Sequence, residues 1–154
     1  MMKLLCEQVL NALKGKTLAT AESCTGGGIG AAITAVSGSS AVYKGGIISY
    51  QNEIKRDLLG VSDADIKKFG PVSSTVAEQM AIGALNALQA DVAVSVTGLA
   101  GPGGDEFGNP VGTVYIGYAD NNCVFSRHFL FEGDRESVRI QAVENALRIL
   151  LEKN

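Results

Sequence analysis

Three hydroxyl and thiol side chains, Ser23, Cys24 and Thr25, stand directly before a run of three glycines in the segment "TAESCTGGGIG". Such a segment can supply an attacking nucleophile, a backbone cradle for a phosphate, or only a tight corner between a strand and a helix. A serine hydroxyl is essentially fully protonated at neutral pH, so it attacks only when a base is at hand. The chemistry therefore depends on which base the rest of the chain offers.

Two residues are candidates for that base. His128 is the only histidine, and its alternating segment "CVFSRHFLF" predicts a strand residue with one face at the surface. Lys55 lies in the first turn of a helix predicted at "QNEIKRDLLG", with Asn52 as the candidate N-cap, where the helix dipole lowers the pKa of a cation. Glu22 and Glu53 would raise that pKa if they came close. The spacing alone also suits an exposed lysine on an amphipathic helix.

A second glycine-rich segment, "VTGLAGPGG", also follows a predicted strand. Ligands of open α/β sheets bind beyond the carboxyl ends of the strands, so the two glycine loops are expected to flank one cleft, beside "SYQNEIK". Residues 26–31 match the G-x-G-x-x-A dinucleotide fingerprint, but Tyr50, Gln51 and Asn52 stand where a ribose-binding acid belongs. No P-loop sequence is present. Alternatively, the glycines bind no ligand and only allow the strands to turn into helices.

Composition restricts the function further. The 154 residues fit one domain, and a formal net charge of -3 without tryptophan or a basic stripe disfavours a nucleic-acid surface. Cys6, Cys24 and Cys123 are far apart, which speaks against a disulfide framework and a zinc site. Without a nearby base, Cys24 is expected to be a packed side chain. No apolar run reaches the roughly 20 residues of a membrane helix, and no signal peptide is apparent, so we expect a cytoplasmic protein.

Strands alternating with helices must position these residues. Hydrophobic periodicity predicts a single α/β domain over residues 1–154, a three-layer α/β/α sandwich with a mixed, mostly parallel sheet. Helices are predicted to start at Ser62, at Ser73 or Ser74, and at Asp134, and the helix in the glycines to end at Gly38. The apolar segment "DVAVSVTG" predicts a central strand covered on both faces. The other predicted strands are "TLATAE", "GGIISY", and a hairpin of "VGTVYIGYAD" and "CVFSRHFLF" joined by "DNN".

Six segments occur in order between about Leu4 and Leu151: "AESCTGG", "GGIISYQNEIK", "GPVSSTVAEQMAIGAL", "VTGLAGPGG", "PVGTVYIG" and "GDRESVRIQAVENAL". Together they closely resemble the nicotinamide-nucleotide amidase family, also called the CinA C-terminal domain family. The resemblance implies a three-layer α/β/α fold and deamidation of nicotinamide mononucleotide to nicotinic acid mononucleotide and ammonia, which returns a breakdown product to NAD synthesis. It also implies a stand-alone amidase, without the extra N-terminal domain of relatives that resemble molybdopterin-binding proteins.

The same resemblance implies a serine-lysine mechanism. Ser23 in "ESCTGG" and Lys55 in "NEIK" match the catalytic pair, and Tyr50 matches a tyrosine near that pair. Neutral Lys55 would take the proton of Ser23 during attack on the carboxamide, and would return it to the departing ammonia, directly or through Tyr50. These steps need no metal or cofactor. The expected oxyanion donors are the backbone N–H groups at Thr25, Gly26 and Gly27.

The rest of the substrate needs its own contacts. Thr97 and Gly98, in the loop expected to face the nucleophile, are candidates for the ribose or the ring. The phosphate requires local attraction in an acidic protein, and Ser39 in "VSGSS" with Arg135 and Arg139 in "GDRESVR" are candidates for it. For Arg139, an exposed helical arginine is an equal alternative.

Two other functions are compatible with the residues. The glycine loops also suit a non-catalytic, regulatory nucleotide-binding module, and a related hydrolase would act on another ring carboxamide. The expected partner is a small molecule, nicotinamide mononucleotide, with no nucleic acid and no membrane. A homo-oligomer is compatible with the sequence.

Overall fold

The computed structural model describes residues 1–154 as six α-helices and five β-strands. A short 3-10 helix, Ser39–Ala41, precedes the second strand, and no helix is long and apolar enough to cross a membrane. The strands are β1 (Leu18–Glu22), β2 (Tyr43–Ile48), β3 (Val92–Gly98), β4 (Thr113–Asp120) and β5 (Val124–Leu130). The helices are α1 (Met2–Ala12), α2 (Gly28–Thr34), α3 (Asn52–Leu59), α4 (Asp63–Phe69), α5 (Ser74–Ala87) and α6 (Arg135–Lys153).

The five strands form one mixed sheet in the order β2-β1-β3-β4-β5. β1 pairs in parallel with β2 and β3, whereas β4 pairs antiparallel with β3 and β5. Four strands therefore point the same way, and β4 runs in the opposite direction. The predicted mixed, mostly parallel sheet is confirmed in its strand directions, although its pairings divide evenly between parallel and antiparallel.

Helices cover both faces of this sheet. α1, α2 and α6 pack over one face around buried side chains such as Val9, Ile33 and Leu147, and α3, α4 and α5 cover the other face around Met80. β3 lies in the middle of the sheet, and its residues 92–97 are all buried, as predicted. Burial of apolar side chains on both faces stabilises the predicted three-layer sandwich.

Three helix starts follow the sequence closely. The side chains of Ser62, Ser73 and Asp134 accept hydrogen bonds from the backbone N–H three residues later, at 3.2, 3.3 and 2.9 Å, and so cap their helices as predicted. The predicted cap at Asn52 is wrong. α3 begins at Asn52 itself, and Gln51 precedes it without a side-chain cap bond.

The end of α2 was predicted too late. The helix ends at Thr34 instead of Gly38. The chain tightens after Thr34, because the N–H of Val36 donates to the carbonyl of Ile33, only three residues back. Such tightening is common at helix ends.

The end of β2 was also predicted too late, and this difference shapes the site. β2 ends at Ile48 instead of Tyr50, because the carbonyls of Ser49 and Tyr50 turn towards the side chain of Lys55. The strand register places the carboxyl ends of β1, β2 and β3 side by side at one edge of the sheet. Residues that follow these three strands therefore meet there.

Candidate active site

A cavity of about 250 Å³ opens where β1, β2 and β3 end. It is bounded by the loops after β1 and β3, by the start of α3, by residues 71–72 and by the start of α6. The two glycine-rich loops thus flank one cleft at the edge where open α/β sheets bind ligands. The cavity lining includes Ser23, Cys24, Tyr50, Asn52, Lys55, Thr97, Gly98 and Arg135.

Lys55 and Ser23 meet inside this cavity. The Nζ atom of Lys55 lies 3.0 Å from the Oγ atom of Ser23, and only 1% of Lys55 and 7% of Ser23 is exposed. The carbonyls of Ser49 and Tyr50 also contact Nζ, at 2.7 and 3.3 Å. The alternative of an exposed, solvated Lys55 is therefore wrong.

Burial sets the protonation of Lys55. Removal from water lowers the pKa of its amine from 10.5 to about 8, and the neighbouring Cys24 opposes this change. No carboxylate lies within ion-pair distance of Nζ: Glu22 is bound elsewhere and Glu53 is exposed. A neutral amine is therefore accessible near neutral pH, with burial as its main cause.

Residues 23–27 form the nucleophile turn, which carries Ser23 from β1 towards α2. The N–H of Ser23 donates to the carbonyl of Val96 at 2.9 Å, and the N–H of Gly26 donates back to the carbonyl of Ser23 at 3.0 Å. Gly26 and Gly27 have φ angles of 58° and 101°, which other residues adopt only at a cost. These two glycines therefore permit the sharp turn into the helix.

Three N–H groups of the nucleophile turn have no hydrogen-bond acceptor within the protein, those of Cys24, Thr25 and Gly27. Cys24 and Thr25 are 6% and 2% exposed, and buried backbone N–H groups are nearly always paired in proteins. Donors left free beside a nucleophile suit a developing oxyanion. The N–H of Gly26, one of the expected donors, is not free, because the carbonyl of Ser23 accepts it. The N–H of Cys24, which sequence analysis did not name, is free.

Glu22 holds the nucleophile turn from inside the protein. Its carboxylate is 2% exposed and accepts hydrogen bonds from the Thr25 hydroxyl at 2.6 Å and from the N–H groups of Ile29 and Gly30 at 2.8 and 3.1 Å. A negative charge at the start of α2 suits the helix dipole. The Thr25 hydroxyl is thus occupied, and only its N–H is free for a ligand.

Cys24 is a packed side chain, as expected. Burial raises the pKa of its thiol to about 11. Its sulfur lies against Gly98, where an added Cβ would come within 3.2 Å of it. The thiolate, which is the nucleophilic form of cysteine, is therefore scarce at neutral pH.

Arg135 borders the cavity on the side of α6. Its exposed guanidinium donates to the carbonyl of Gly101 at 2.6 Å and to the hydroxyl of Tyr50 at 3.1 Å. The Tyr50 phenol therefore contacts Arg135, and Lys55 is reached only by the Tyr50 backbone carbonyl. The expected relay of a proton through the Tyr50 hydroxyl has no hydrogen bond to Lys55 to support it.

Arg139 lies one turn further along α6 and outside the cavity. Its Nε donates to the carbonyl of Cys24 at 3.0 Å, and its Nη2 donates to the carbonyl of Thr25 at 3.3 Å. Together with Thr25 and Gly28 it lines a separate cavity. The structure thus places Arg139, which is exposed as the alternative expected, against the nucleophile turn, and leaves Arg135 as the arginine that lines the cavity.

The other predicted substrate contacts divide into two groups. Thr97 and Gly98 line the cavity, but the Thr97 hydroxyl donates to the carbonyl of Pro71 at 2.8 Å. At Gly98 an added Cβ would lie 2.7 Å from Val114, so no side chain fits there. Ser39 precedes β2, whereas the cavity lies after it, and a strand of this length spans about 20 Å. Ser39 is therefore not brought together with the other residues.

His128 plays no part in this cavity. It is exposed on β5 and its ring stacks on that of Tyr115, with centroids 4.7 Å apart, as the alternating segment predicts. No group of three or more His, Cys, Asp and Glu side chains is placed to hold a metal ion.

Comparison with known proteins identifies the family. Residues 3–154 match the model of the CinA C-terminal domain. The chain belongs to the CinA C-terminal domain family. It is 46% identical, over 95% of its length and 90% of the relative's, to the nicotinamide-nucleotide amidohydrolase PncC of Escherichia coli strain K12.

Two further likenesses extend this result. The chain is 49% identical over 91% of its length to a CinA-like protein of Rippkaea orientalis, of which it spans only 34%, so it matches about a third of the longer CinA-like relatives. A crystal structure of a competence-damaged protein (CinA) superfamily member from Klebsiella pneumoniae 700603 has a TM-score of 0.96 and 36% identity, covering 99% of this chain and 97% of that one. The three-layer fold is thus common to members of the family.

Sequence analysis missed several parts of this CinA-domain site. The carbonyl of Ser49 left no signal, because every residue carries a carbonyl and only the tertiary structure aims it. Asn52 lines the cavity, although the sequence suggested only a helix cap. Pro71 and Val72 also line it, and they belong to "GPVSSTVAEQMAIGAL", one of the six segments that carry the family resemblance. That segment was the one available signal.

Proposed function

We propose that this chain hydrolyses nicotinamide mononucleotide to nicotinic acid mononucleotide and ammonia, with Ser23 as nucleophile and Lys55 as base. The observation that carries the proposal is the 3.0 Å contact between buried Nζ and Oγ atoms. The substrate is suggested by the similarity to the Escherichia coli relative, a nicotinamide-nucleotide amidohydrolase, which matches nearly the whole chain.

The surroundings of Lys55 orient its neutral form for proton uptake. A neutral amine has two N–H groups and one lone pair. The carbonyls of Ser49 and Tyr50 accept its two N–H groups, so the lone pair is left for the Ser23 hydroxyl. After proton uptake the ammonium has three donors and three acceptors around it. The same contacts therefore serve both protonation states.

Attack then proceeds at the carboxamide carbon. The Ser23 oxygen forms a bond to that carbon as its proton passes to Lys55, and the carbonyl electron pair moves to the oxygen. The N–H groups of Cys24 and Thr25, which have no acceptor within the protein, are the proposed donors to this oxyanion. Preorganised donors of this kind contribute about 10²–10³-fold each to kcat.

Collapse of the tetrahedral intermediate releases ammonia. The C–N bond breaks as Lys55 returns its proton to the leaving nitrogen, which leaves nicotinic acid mononucleotide esterified to Ser23. A water molecule, deprotonated by the again neutral Lys55, then attacks the ester and restores the serine. No step in this mechanism uses a metal ion or a redox cofactor.

Arg135 is the proposed contact for the substrate phosphate. It is the arginine that lines the cavity, and its exposed guanidinium retains free N–H groups beside the bonds to Gly101 and Tyr50. A charge-assisted hydrogen bond contributes about 1.5–3 kcal/mol, so nicotinamide riboside should be a much poorer substrate than the mononucleotide. Arg135→Gln should raise KM for the mononucleotide and change turnover of the riboside little.

An ammonia-release assay tests the proposed function. Nicotinamide mononucleotide, nicotinamide riboside, free nicotinamide and glutamine are compared as substrates, with Ser23→Ala as the inactive control. We expect ammonia from the mononucleotide in preference to the other three. Preference for another carboxamide would contradict the substrate assignment. Tight binding of the mononucleotide without ammonia release would instead support the non-catalytic nucleotide-binding module.

A further inference from the structure

We propose that Arg139 is a positioning residue for the oxyanion donors of Ser23 and does not contact the substrate. This proposal rests on the proposed function, because it assigns Arg139 a part in the same reaction. It starts from an observation that the mechanism above leaves unused: a guanidinium from α6 donates to two consecutive carbonyls of the nucleophile turn, those of Cys24 and Thr25.

The direction of these hydrogen bonds determines where the free N–H groups point. In a planar trans peptide, the C=O and the N–H of one unit point in opposite directions. The Cys24 carbonyl and the Thr25 N–H belong to one such unit. By holding that carbonyl on the side of α6, Arg139 turns the Thr25 N–H towards the opposite side of the turn.

Hydrogen bonds also connect Arg139 to the second donor. The Thr25 carbonyl shares its peptide unit with the Gly26 N–H, which donates to the Ser23 carbonyl at 3.0 Å. The Ser23 carbonyl in turn shares its unit with the Cys24 N–H. Each hydrogen bond in such a chain polarises the next. The two proposed donors, the N–H groups of Thr25 and Cys24, therefore each lie at the end of a series of peptide units and hydrogen bonds that begins at the guanidinium of Arg139.

The two arginines of "GDRESVR" thus have different roles. Arg135 borders the cavity that holds Ser23 and Lys55, so it is the one in reach of a bound substrate. Arg139 lines a separate cavity and directs two of its donors at backbone carbonyls. Its positive charge also acts on the buried Cys24 thiol, whose pKa it lowers against the larger opposing effect of burial. This closeness to the nucleophile turn supports an electrostatic role there.

The test compares kinetics on two substrates. Arg139→Met keeps an unbranched apolar side chain and removes all five donors, Arg139→Lys keeps one charged donor group, and Arg148→Met is the matched control. Arg148 lies on the exposed face of the same helix, paired with Glu144. For each variant, kcat and KM are measured with nicotinamide mononucleotide and with nicotinamide riboside, and the melting temperature is recorded.

A lower kcat with an unchanged KM is the expected result for Arg139→Met. The decrease should be roughly tenfold to a hundredfold, below the loss of about 10²–10³ for a removed donor, and equal for both substrates. Arg139→Lys should be intermediate and Arg148→Met unchanged. A loss confined to the mononucleotide and expressed in KM would make Arg139 a phosphate ligand and overturn the proposal. Wild-type kinetics in Arg139→Met at an unchanged melting temperature would overturn it too.

A fluorophosphonate probe separates this proposal from the proposed function. The Ser23 oxygen displaces fluoride from phosphorus while its proton passes to Lys55, and the phosphoryl oxygen occupies the oxyanion position. Labelling of Ser23 should slow in Arg139→Met by about the factor seen in kcat. If the wild-type protein is labelled but releases no ammonia from the mononucleotide, the proposed function fails, and the labelling rates of the variants still decide the role of Arg139. Equal labelling rates would overturn that role.

Discussion

At the scale of single residues, the chemistry depends on keeping one lysine out of water. Lys55 is buried and hydrogen-bonded to two carbonyls, with no carboxylate to stabilise its charged form. A lysine with an ordinary pKa would be almost wholly protonated at neutral pH and unable to act as a base. By lowering the pKa of Lys55, burial therefore allows a lysine, which is usually exposed and charged, to act as a base.

The activity should depend on pH through Lys55. The neutral amine is the active form, and its pKa is about 8, so kcat/KM should fall about tenfold per pH unit below that value and level off above it. Initial rates of ammonia release between pH 6 and pH 9.5 measure this, with the alkaline breakdown of free substrate subtracted. A rate independent of pH across this range would contradict the assignment of the base.

Substitution of Lys55 gives a complementary prediction. Lys55→Ala should abolish turnover, and Lys55→Arg should fail as well, because arginine does not release its proton near neutral pH. Lys67→Arg is the matched control, since Lys67 is exposed on α4 and paired only with Asp63. Near-normal activity of Lys55→Arg would exclude a neutral lysine as base.

The identity of the nucleophile is also testable. Ser23→Ala should eliminate ammonia release and the acyl-enzyme. Cys24→Ser should keep substantial activity, because the buried thiol has a pKa of about 11 and the Lys55 amine is hydrogen-bonded to Ser23, not to Cys24. Mass spectrometry of enzyme quenched during turnover should locate an ester on the peptide with Ser23. That peptide also contains Cys24, so fragmentation must distinguish the two. An adduct on the sulfur would make the thiol the nucleophile.

At the scale of elements, α3 and the nucleophile turn hold the two reacting groups. α3 carries Lys55 and packs against α5, where Gly83 allows close approach: an added Cβ would lie 2.0 Å from the carbonyl oxygen of Leu59. That contact is with backbone and cannot be relieved by a side-chain rotation. The position of Lys55 therefore depends on a residue in another helix.

Gly83→Ala should displace α3 and reduce both stability and activity. Overpacking a core costs roughly 1–3 kcal/mol. Because the clash here is with backbone, we expect this cost to outweigh the gain of alanine over glycine in a helix, which is about 1 kcal/mol. Urea denaturation measures the first effect and kcat the second. Asn86→Ala, an exposed change in the same helix, should reduce neither. Full stability and activity in Gly83→Ala would show that α3 does not depend on this contact.

At this scale the local signals predicted most of the elements. Caps at Ser62, Ser73 and Asp134 form within one helical turn, so the sequence contains both donor and acceptor. The predicted end of β2 was wrong, because the carbonyls of Ser49 and Tyr50 turn to the side chain of Lys55 in a tertiary contact. Local patterns predict an element well where its bonds are local.

At the scale of the whole molecule, the buried Lys55 makes folding depend on pH. Its pKa is lowered from 10.5 in an exposed lysine to about 8 in the folded protein, so between these values the unfolded chain binds more protons than the folded one. Stability should therefore rise as the pH increases from about 8 to about 10.5, and this residue should add no pH dependence below 8. The charged form of the base thus destabilises the fold that positions it.

Lys55→Met should remove this pH dependence. We expect the free energy of unfolding of the wild type, relative to Lys55→Met, to increase by on the order of 1–3 kcal/mol between pH 8 and pH 10.5. Chemical denaturation at several pH values measures this difference. Lys67→Met, at an exposed site, should follow the wild-type curve. Parallel curves for wild type and Lys55→Met would mean that the amine is not shielded from water.

The sequence by itself determined the order of strands and helices, the central place of β3, and the residue types at the ends of the strands, because apolar periodicity, caps and glycines act over a few neighbours. It also singled out Ser23 and Lys55. Only the tertiary structure decided that Lys55 is buried, and that Arg139 contacts the nucleophile turn while Arg135 borders the cavity. It also decided that Ser39 lies before β2, at the opposite end of the strands from the cavity. Desolvation and the direction of a side chain depend on what packs around it, and those neighbours lie far away in the chain.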